Sequence, residues 1–358
     1  MFSFSSIIYT ILIISLLVIV HELGHFLMAR LFKVTTHEFS IGFGPLLFQR
    51  KWRKTKYSLR AIPLGGFCKI AGMDIALEGE PGEQPNPGEF AFYELPLYKK
   101  ILIILAGPVS NLLLALVIFI FTAAVVGLPD RPEERPIIGF VEPKTPAYEA
   151  GLSSGDEIVE INGEPVQRWE EVVATIHRSP LQPLEFKVKR GEEYFSREIT
   201  PFYDPAHGVG RIGIMQAYTV KRLPLHKAVP YGFASTWYGM RAVVISSYRI
   251  ITGRERAGVF GPIGMVGFVD QARHQSGLLL VMMTSINLFL ALFNLLPLPL
   301  PLLDGGWIVI LILERLRGKE FSPEQKGAAQ MVGLLLMLAL FIMITLGDVG
   351  SIIRRLVN

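Results

Sequence analysis

Cysteine is almost absent from this 358-residue chain, and charged residues are few. The single cysteine, Cys68, excludes an internal disulfide and a Cys-x-x-Cys metal site. Only 18% of the residues are charged and 51% are hydrophobic, which is more than the core of a water-soluble protein needs. No basic stripe interleaved with aromatic residues accompanies the net charge of +4, so we expect no nucleic-acid partner. The composition therefore predicts an integral membrane protein whose surroundings are the lipid bilayer.

Four apolar segments are long enough to cross a membrane, since a spanning helix needs ~20 apolar residues. They are 4–30, 101–126, 278–313, which has a proline-rich break inside it, and 328–346. The first segment lacks the basic start and small-residue cleavage site of a secretory signal, so we expect it to stay in the mature chain.

Basic residues predict the orientation of these spans. The loop between the first two is rich in lysine and arginine, and the extreme N-terminus has neither. Because basic loops stay in the cytoplasm, that loop should be cytoplasmic, with the N-terminus and the stretch 127–277 outside.

Residues 127–217 differ from the rest, with more charge, more turns and short β-like runs. Two helical patterns, PAYEAGL and WEEVVATIHRS, lie among the runs PIIGFV, DEIVEING, LEFKVKR and VGRIGIM. This order, with GLSSGDEIVEINGEPV, resembles PDZ domains, which capture peptide ends by strand addition. The resemblance implies a peptide or C-terminal ligand, held at a carboxylate loop formed by Ile138, Gly139 and Phe140.

The segments that flank this domain are less regular. Residues 225–251 carry an apolar stripe at helical spacing within the linker 218–277, which indicates a helix lying on the membrane surface. A fifth span is the alternative, and it would reverse the orientation of everything after it. Residues 34–73 show β-like alternation with paired glycines, and 74–98 contain a Gly-, Pro- and Glu-rich loop.

The stretch VIVHELGHFLMA, 18–29, places two histidines and a glutamate inside the first span. His21 and His25 are four residues apart, so a helix projects both rings from one face, where two neutral nitrogens can bind one Zn²⁺. Glu22 can then reach a water at the open coordination position. Because ionisable groups cost ~2.5–3.5 kcal/mol each inside a span, their presence here predicts a metal site.

A third ligand is expected at the same depth. A helix from 278 to 296 descends ~27 Å, close to the ~26 Å between residue 4 and His21, so Asp304, after the prolines, falls level with His21. Asn287 and Asn294 face the same way on that helix, either as helix–helix contacts or as functional groups. In the functional interpretation Asn287 binds substrate, and Asn294 donates to a substrate carbonyl or to the oxyanion. Asn111 is interpreted as a packing residue.

Together HELGH, SIGFGP, AIPLGGF, AGPVSN and SINLFLALFNLLP…LDGG resemble the site-2 protease family of intramembrane zinc metalloproteases, and within it the bacterial group that cuts anti-sigma factors. The resemblance covers essentially the whole chain. It implies Zn²⁺ held by His21, His25 and Asp304, Glu22 as the catalytic base, and Asn294 as the motif asparagine. It also implies a bacterial inner-membrane location. Two departures stand out: ten positions rather than eight separate Asn294 from Asp304, and there is room for only one PDZ domain.

The expected fold is a polytopic α-helical membrane protein of about four spans, with a membrane-associated β region and an inserted extracytoplasmic PDZ-like α+β domain. Residues 1–126 form the first half of the membrane core, 127–217 the PDZ domain, 218–277 the linker and 278–358 the second half. The expected function is zinc-dependent cleavage of transmembrane segments in single-pass membrane proteins, such as anti-sigma factors or signal-peptide remnants. The zinc site should open toward the cytoplasm.

A helical substrate must unwind to be cut, and pairing with a β edge around Gly65 and Gly66 would hold it as an added strand. The PDZ domain would bind a new C-terminus or reject substrates by size. Two other classes remain: a receptor with structural zinc, which would fill all four coordination positions, and a metal transporter, which would need more polar groups along the spans.

Overall fold

The computed structural model describes residues 4–73, 89–142, 145–205, 207–252, 266, 269, 276–298, 303–322, 324–329, 331–336, 338–339 and 342. The chain divides into two compact units. The first combines residues 1–121 with 226–358, and the second consists of residues 122–225. The second unit is therefore an insertion in the sequence of the first.

The described helices are α1 Phe4–Leu31, α2 Leu97–Phe121, α3 Pro146–Glu149, α4 Trp169–Arg178, α5 Leu225–Ile251, α6 Ser276–Asn294 and α7 Asp304–Arg317. A short 3₁₀ helix, Phe92–Glu94, precedes α2, and a π-helical turn, Thr122–Val126, continues it. The described strands are β1 Thr36–Trp52, β2 Thr55–Ile70, β3 Leu128–Pro132, β4 Ile138–Val141, β5 Glu157–Ile161, β6 Glu164–Pro165, β7 Leu184–Arg190, β8 Glu193–Ile199, β9 Phe202–Asp204, β10 Val209–Arg211, β11 Ile214–Gln216 and β12 Tyr218–Lys221.

Within the described residues, three helices have the length and apolar composition needed to cross a membrane. They are Ser5–Leu31, Leu97–Val126 and Gly277–Asn294, which correspond to the first three predicted spans. The expected class, a polytopic helical membrane protein with an inserted PDZ-like domain, is confirmed. The fourth predicted span, 328–346, extends beyond the described residues, which include helical stretches at 324–329 and 331–336.

Glycine lets α1 and α2 approach closely. A Cβ at Gly24 of α1 would overlap the backbone oxygen of Ala106 and the hydroxyl of Ser110 on α2. Small residues at such crossings are typical of membrane helices, whose association depends on close packing. This contact brings the polar face of α1 against α2.

The helix predicted over 225–251 is present as α5. Its glycines lie against the spans, since a Cβ at Gly232 would contact Leu116 and Ile120 of α2, and one at Gly239 would contact Leu288 of α6. Phe233, Trp237 and Val244 of its predicted apolar stripe are exposed. Among the described helices, α5 is not one of the three that meet the length and hydropathy expected of a span.

The β-like segment between the first two spans forms a long irregular sheet of β1 and β2. Residues 38–41 of β1 are paired with two stretches of β2, one at 56–59 and one at 66–69. The chain therefore folds so that 38–41 lies between two neighbours. On the other side of 66–70, no strand of the described residues pairs with it.

The second unit is a small α+β domain. Its four-stranded sheet has the order β6-β5-β7-β8, and the pairs β3–β12, β4–β11 and β9–β10 complete it. The alternating pattern of β7 buries Leu184, Phe186 and Val188 against Val172 and Ile176 of α4. The strands and helices of this unit match the order that indicated a PDZ-like domain.

Candidate metal centre and active-site cavity

Three side chains converge where α1 meets the start of α7. His21 Nε2 lies 3.0 Å from Asp304 Oδ2, and His25 Nε2 lies 3.4 Å from Asp304 Oδ1. The two Nε2 atoms are 3.2 Å apart. His21 and His25 are buried, and Asp304 is nearly so. The three residues predicted as metal ligands thus form a candidate metal site, with one ligand atom from each.

The donor set and its spacing fit a zinc ion. In a tetrahedral site with metal–ligand bonds of ~2.0–2.1 Å, ligand atoms stand ~3.3 Å from one another. The two Nε2 atoms are 3.2 Å apart, close to that edge length, and each has a different oxygen of Asp304 within 3.4 Å. Three protein ligands leave one tetrahedral position for water or substrate, as in catalytic zinc sites.

Hydrogen bonding of His25 strengthens this interpretation. Its Nδ1 lies 2.9 Å from the backbone oxygen of Ile103 on α2. A carbonyl only accepts hydrogen bonds, so in the neutral ring Nδ1 carries the proton and Nε2 presents a bare lone pair. Nε2 then faces the other acceptor atoms, an arrangement that a cation stabilises.

Asn111 of α2 contacts Nδ1 of His21, as the backbone oxygen of Ile103 contacts Nδ1 of His25. Its side-chain amide lies 3.4 Å from His21 Nδ1, and the residue is fully buried. Sequence reasoning interpreted Asn111 as packing only, because nothing in the local pattern indicates a partner 90 positions away. Gly107, one turn before it, lies against both rings, since a Cβ there would overlap the His25 ring.

Glu22 and Asn294 line the same cavity as the three ligands. The cavity has a volume of about 360 Å³, and its walls come from α1, β2, α6 and α7. The backbone of Cys68 in β2 is hydrogen-bonded to the Glu22 carboxylate. The structure therefore gathers five of the predicted site residues around one space, although they lie as far apart in sequence as 21 and 304.

Close packing against the end of α6 positions Asp304. Helix α6 ends at Asn294, and α7 begins at Asp304. Gly305 lies so close to the end of α6 that a Cβ there would overlap the backbone oxygens of Leu295 and Leu296. The glycine that follows the aspartate is therefore needed to bring the carboxylate back beside the asparagine.

Gly65 and Gly66 lie where β2 passes α1. The N–H of Gly65 donates to Ser15 Oγ at 3.3 Å, and Gly65 has a φ of +90°, which favours glycine. A Cβ at Gly66 would overlap the backbone oxygen of Ser40. The stretch that follows, 66–70, contributes Cys68 and Ile70 to the cavity.

Asn287 lies away from this cavity. It is fully buried and donates from Nδ2 to the backbone oxygen of Asn111 at 2.5 Å. This bond ties α6 to α2. The geometry thus gives Asn287 a helix–helix contact, and its contact with substrate stays a prediction.

The residues predicted as the carboxylate loop of the PDZ-like domain are engaged within that domain. Ile138 is fully buried, its N–H donates to Asp156, and its oxygen accepts from Gly155. Gly139 and Phe140 lie in β4, which pairs with β11. These bonds occupy the N–H and the oxygen of Ile138, and the role of the three residues as a carboxylate loop stays a prediction.

Over most of its length the chain is similar to a known peptidase family and to known zinc metalloproteases. The sequence matches the family described as Peptidase family M50 over residues 9–340. It is 30% identical to the zinc metalloprotease RasP of Geobacillus kaustophilus, over 96% of this chain and 97% of that protein. A putative zinc metalloprotease of Clostridium perfringens is 32% identical, over 96% and 98% of the two chains. The regulator of sigma-W protease RasP of Bacillus subtilis is 26% identical, over 95% and 97%.

Among solved structures, the PDZ domains of SdrC-like proteins are similar to part of the chain. The domain from Listeria monocytogenes is 22% identical with a TM-score of 0.22, over 25% of this chain and 93% of that one. The domain from Listeria innocua is 26% identical with the same score, over 24% and 97%.

Proposed function

Because the chain belongs to peptidase family M50 and is a zinc metalloprotease with membrane-spanning helices, we propose that it cuts the transmembrane segments of single-pass membrane proteins. Anti-sigma factors and signal-peptide remnants are the substrates we expect. The observation that carries the proposal is the position of the candidate metal site: His21 and His25 lie within the span Ser5–Leu31, and Asp304 follows the span Gly277–Asn294.

The chain's own residues supply the remaining chemistry. Zinc, when bound by His21, His25 and Asp304, supplies Lewis-acid polarisation of a carbonyl and of water. Glu22 would take the proton from the attacking water and pass it to the leaving nitrogen. Asn294 would donate a hydrogen bond to the oxygen on which negative charge develops. Their place in one cavity with the ligands supports these roles.

A substrate helix must open before its backbone can be attacked, because its carbonyls are already hydrogen-bonded. We propose that the opened segment pairs with 66–70 of β2. Two observations support this: that stretch has no second strand partner among the described residues, and two of its members line the cavity. The N–H of Ile70 points away from β1, because the next N–H, that of Ala71, donates to Thr35 on the β1 side. Proline at Ile70 should then slow cleavage of a helical span much more than cleavage of a short unfolded peptide. Equal effects on both substrates would contradict the idea.

The PDZ-like domain is proposed to act on the substrate outside the membrane, either by binding a peptide end or by excluding bulky proteins. Within the described residues, β11 pairs only with β4, so its second edge is the better candidate for an added peptide strand. Deleting 133–215 should leave zinc binding intact and change which substrates are cut. Loss of zinc on deletion would contradict this division of roles.

The orientation expected from the basic residues completes the proposal. The N-terminus and the PDZ-like domain would lie outside the bacterial cytoplasmic membrane, and water would reach the zinc from the cytoplasm. Single cysteines at Ser153 and Lys54, in a Cys68→Ser background, should react with a membrane-impermeant maleimide from outside and inside, respectively. The reverse pattern would contradict this orientation.

The central experiment uses the full chain, purified with zinc, and a synthetic single-span peptide labelled at both ends. Glu22→Gln should keep zinc and lose cleavage, because the amide cannot accept the proton. Asp304→Asn should weaken zinc binding and lose cleavage. If Glu22→Gln cut the peptide as the unaltered chain does, the protease mechanism would be wrong.

A further inference from the structure

A second cavity lies at the end of α1 farthest from the N-terminus. It has a volume of about 310 Å³ and is walled by the last turns of α1, the residues after it, and the turn between β1 and β2. Helix α1 has 28 residues, or ~42 Å, which exceeds the ~30 Å hydrocarbon layer. The cavity therefore lies near the level of the lipid headgroups.

Positive charge dominates the rim of this cavity. Four basic side chains contribute to it, namely Arg30, Lys33, Arg53 and Lys54. No carboxylate lines the cavity, and in the described part of the chain no ion pair involves any of these four. Closely spaced cations without a counter-charge repel one another, so an anion placed among them would be stabilised.

Side-chain contacts and backbone conformation hold these cations in a defined arrangement. The guanidinium groups of Arg30 and Arg53 lie 5.4 and 5.3 Å from the ring centre of Trp52, so one indole holds both. Lys33 and Arg53 have φ values of +63° and +56°. Only two other non-glycine residues in the described chain have positive φ, Asn162 and Leu181. Two residues with positive φ, which is unfavourable for residues other than glycine, thus line the same cavity.

The buried part of the lining combines apolar side chains with two threonines. Phe26 and Val34 are buried there, beside Thr35 and Thr36. The Thr36 hydroxyl is buried and has no hydrogen-bond partner among the described residues. A ligand with an anionic head and an apolar or uncharged remainder matches this lining.

We propose that this cavity binds a phosphate group, and that the group is the headgroup phosphate of an anionic phospholipid. Arginine forks match phosphate oxygens in geometry, and the lipid glycerol and first acyl carbons match the buried part of the lining. The inference does not depend on the protease function, since none of the four cations lines the cavity of the metal site. It assigns a lipid-binding role to the turn between β1 and β2.

The test compares two double variants that remove the same charge from the same region. Arg30→Gln with Arg53→Gln alters the cavity, whereas Arg50→Gln with Lys51→Gln alters exposed neighbours that do not line it. Each full-length protein is purified with zinc in detergent that contains equal amounts of phosphatidylglycerol and phosphatidylcholine. Phosphatidylglycerol retained per protein is measured by native mass spectrometry. Unchanged zinc content in both variants shows that the membrane core is folded.

We expect the cavity variant to retain about tenfold less phosphatidylglycerol than the control variant, beyond the general attraction of basic residues to anionic lipid. A second measurement identifies the source of the phosphate: inorganic phosphate is added to lipid-free protein, and broadening of its ³¹P signal is recorded. If only this signal depends on the cavity, phosphate recognition stands and its source is a soluble phosphate. If the two variants behave alike with both probes, the proposal is wrong.

Discussion

The side-chain amide of Asn111 lies 3.4 Å from Nδ1 of His21, at a fully buried contact between α2 and α1. A histidine that binds metal through Nε2 carries its proton on Nδ1, and that proton needs an acceptor. Asn111 Oδ1 has no hydrogen-bond partner among the described residues. When the side-chain amide is rotated so that Oδ1 faces the ring, Oδ1 accepts the hydrogen bond from Nδ1–H of His21. Both atoms then have a hydrogen-bond partner. We infer that Asn111 fixes the ring of His21 for metal binding.

Replacing Asn111 by leucine should weaken zinc binding by about 10- to 100-fold, the usual effect of losing a partner behind a metal ligand. Competition with a chromogenic chelator would measure this. Asn287→Leu is the matched control, because it removes a buried amide from the neighbouring contact between α6 and α2 without touching His21. Equal zinc affinity in the unaltered chain and Asn111→Leu would show that Asn111 only packs.

The metal ligands could be predicted from the sequence because the spacing of the two histidines is local and the membrane depth of Asp304 follows from helix length. His21 and His25 share a helix face, and residue counting along two spans placed Asp304 level with them. Asn111 was not recognised, since an amide in a span has the same local pattern whether it packs or orients a ring. The strand partner of Ile138 could not be predicted either, because Gln216 lies 78 positions away and its pairing depends on the whole domain.

Gly107 provides a steric test of the same site. A Cβ at this position would overlap Nε2 and Cε1 of His25 and approach the ring of His21, so Gly107→Ala must displace ligands of the metal. We expect zinc affinity to fall by at least about tenfold while the protein stays folded. Zinc content after dialysis against a weak chelator would reveal the loss.

Gly277→Ala is the control for this substitution. Gly277 also lies in a membrane helix, and a Cβ there would meet no atom within 4 Å. It should leave zinc content unchanged. If Gly107→Ala bound zinc as tightly as Gly277→Ala, the close packing of α2 on the histidines would not matter for the metal.

In the PDZ-like domain, Asp156 is almost fully buried and receives two hydrogen bonds from Arg190, at 2.7 and 2.9 Å. It also accepts from the backbone N–H of Ser153. Asp156→Ala should therefore lower the free energy of unfolding of the domain by about 2 kcal/mol. This figure already allows for solvent screening of the ion pair, because Arg190 is half exposed. Hydrogen exchange at β5 and β7 in the full chain would speed up by about 30-fold.

A neighbouring ion pair serves as the control. Lys187 and Glu160 lie 2.8 Å apart on the same sheet, but both are partly exposed. Lys187→Gln should change exchange rates little, because exposed pairs contribute about 0–1 kcal/mol. If hydrogen exchange were accelerated equally in both variants, burial of Asp156 would not explain the contribution of the Asp156–Arg190 pair to stability.

Glu171 gives the domain a pH dependence. Its carboxylate accepts hydrogen bonds from the backbone N–H of Gln167 at 2.7 Å and of Arg168 at 3.3 Å, which lowers the pKa of Glu171 below its ordinary value of 4.5. A carboxylate whose pKa is lower when folded stabilises the folded state above the unfolded pKa. That contribution is lost as the pH falls from about 4.5 through the lowered value.

We therefore expect the amides at the start of α4 to open more readily as the pH drops below 4.5, after correction for the intrinsic exchange rate. Other carboxylates titrate in the same range, so the comparison with Glu171→Gln isolates this one. Glutamine can keep the hydrogen bonds but has no charge to lose, and its profile should be flatter. Parallel profiles for the two proteins would show that the charge of Glu171 does not stabilise the helix.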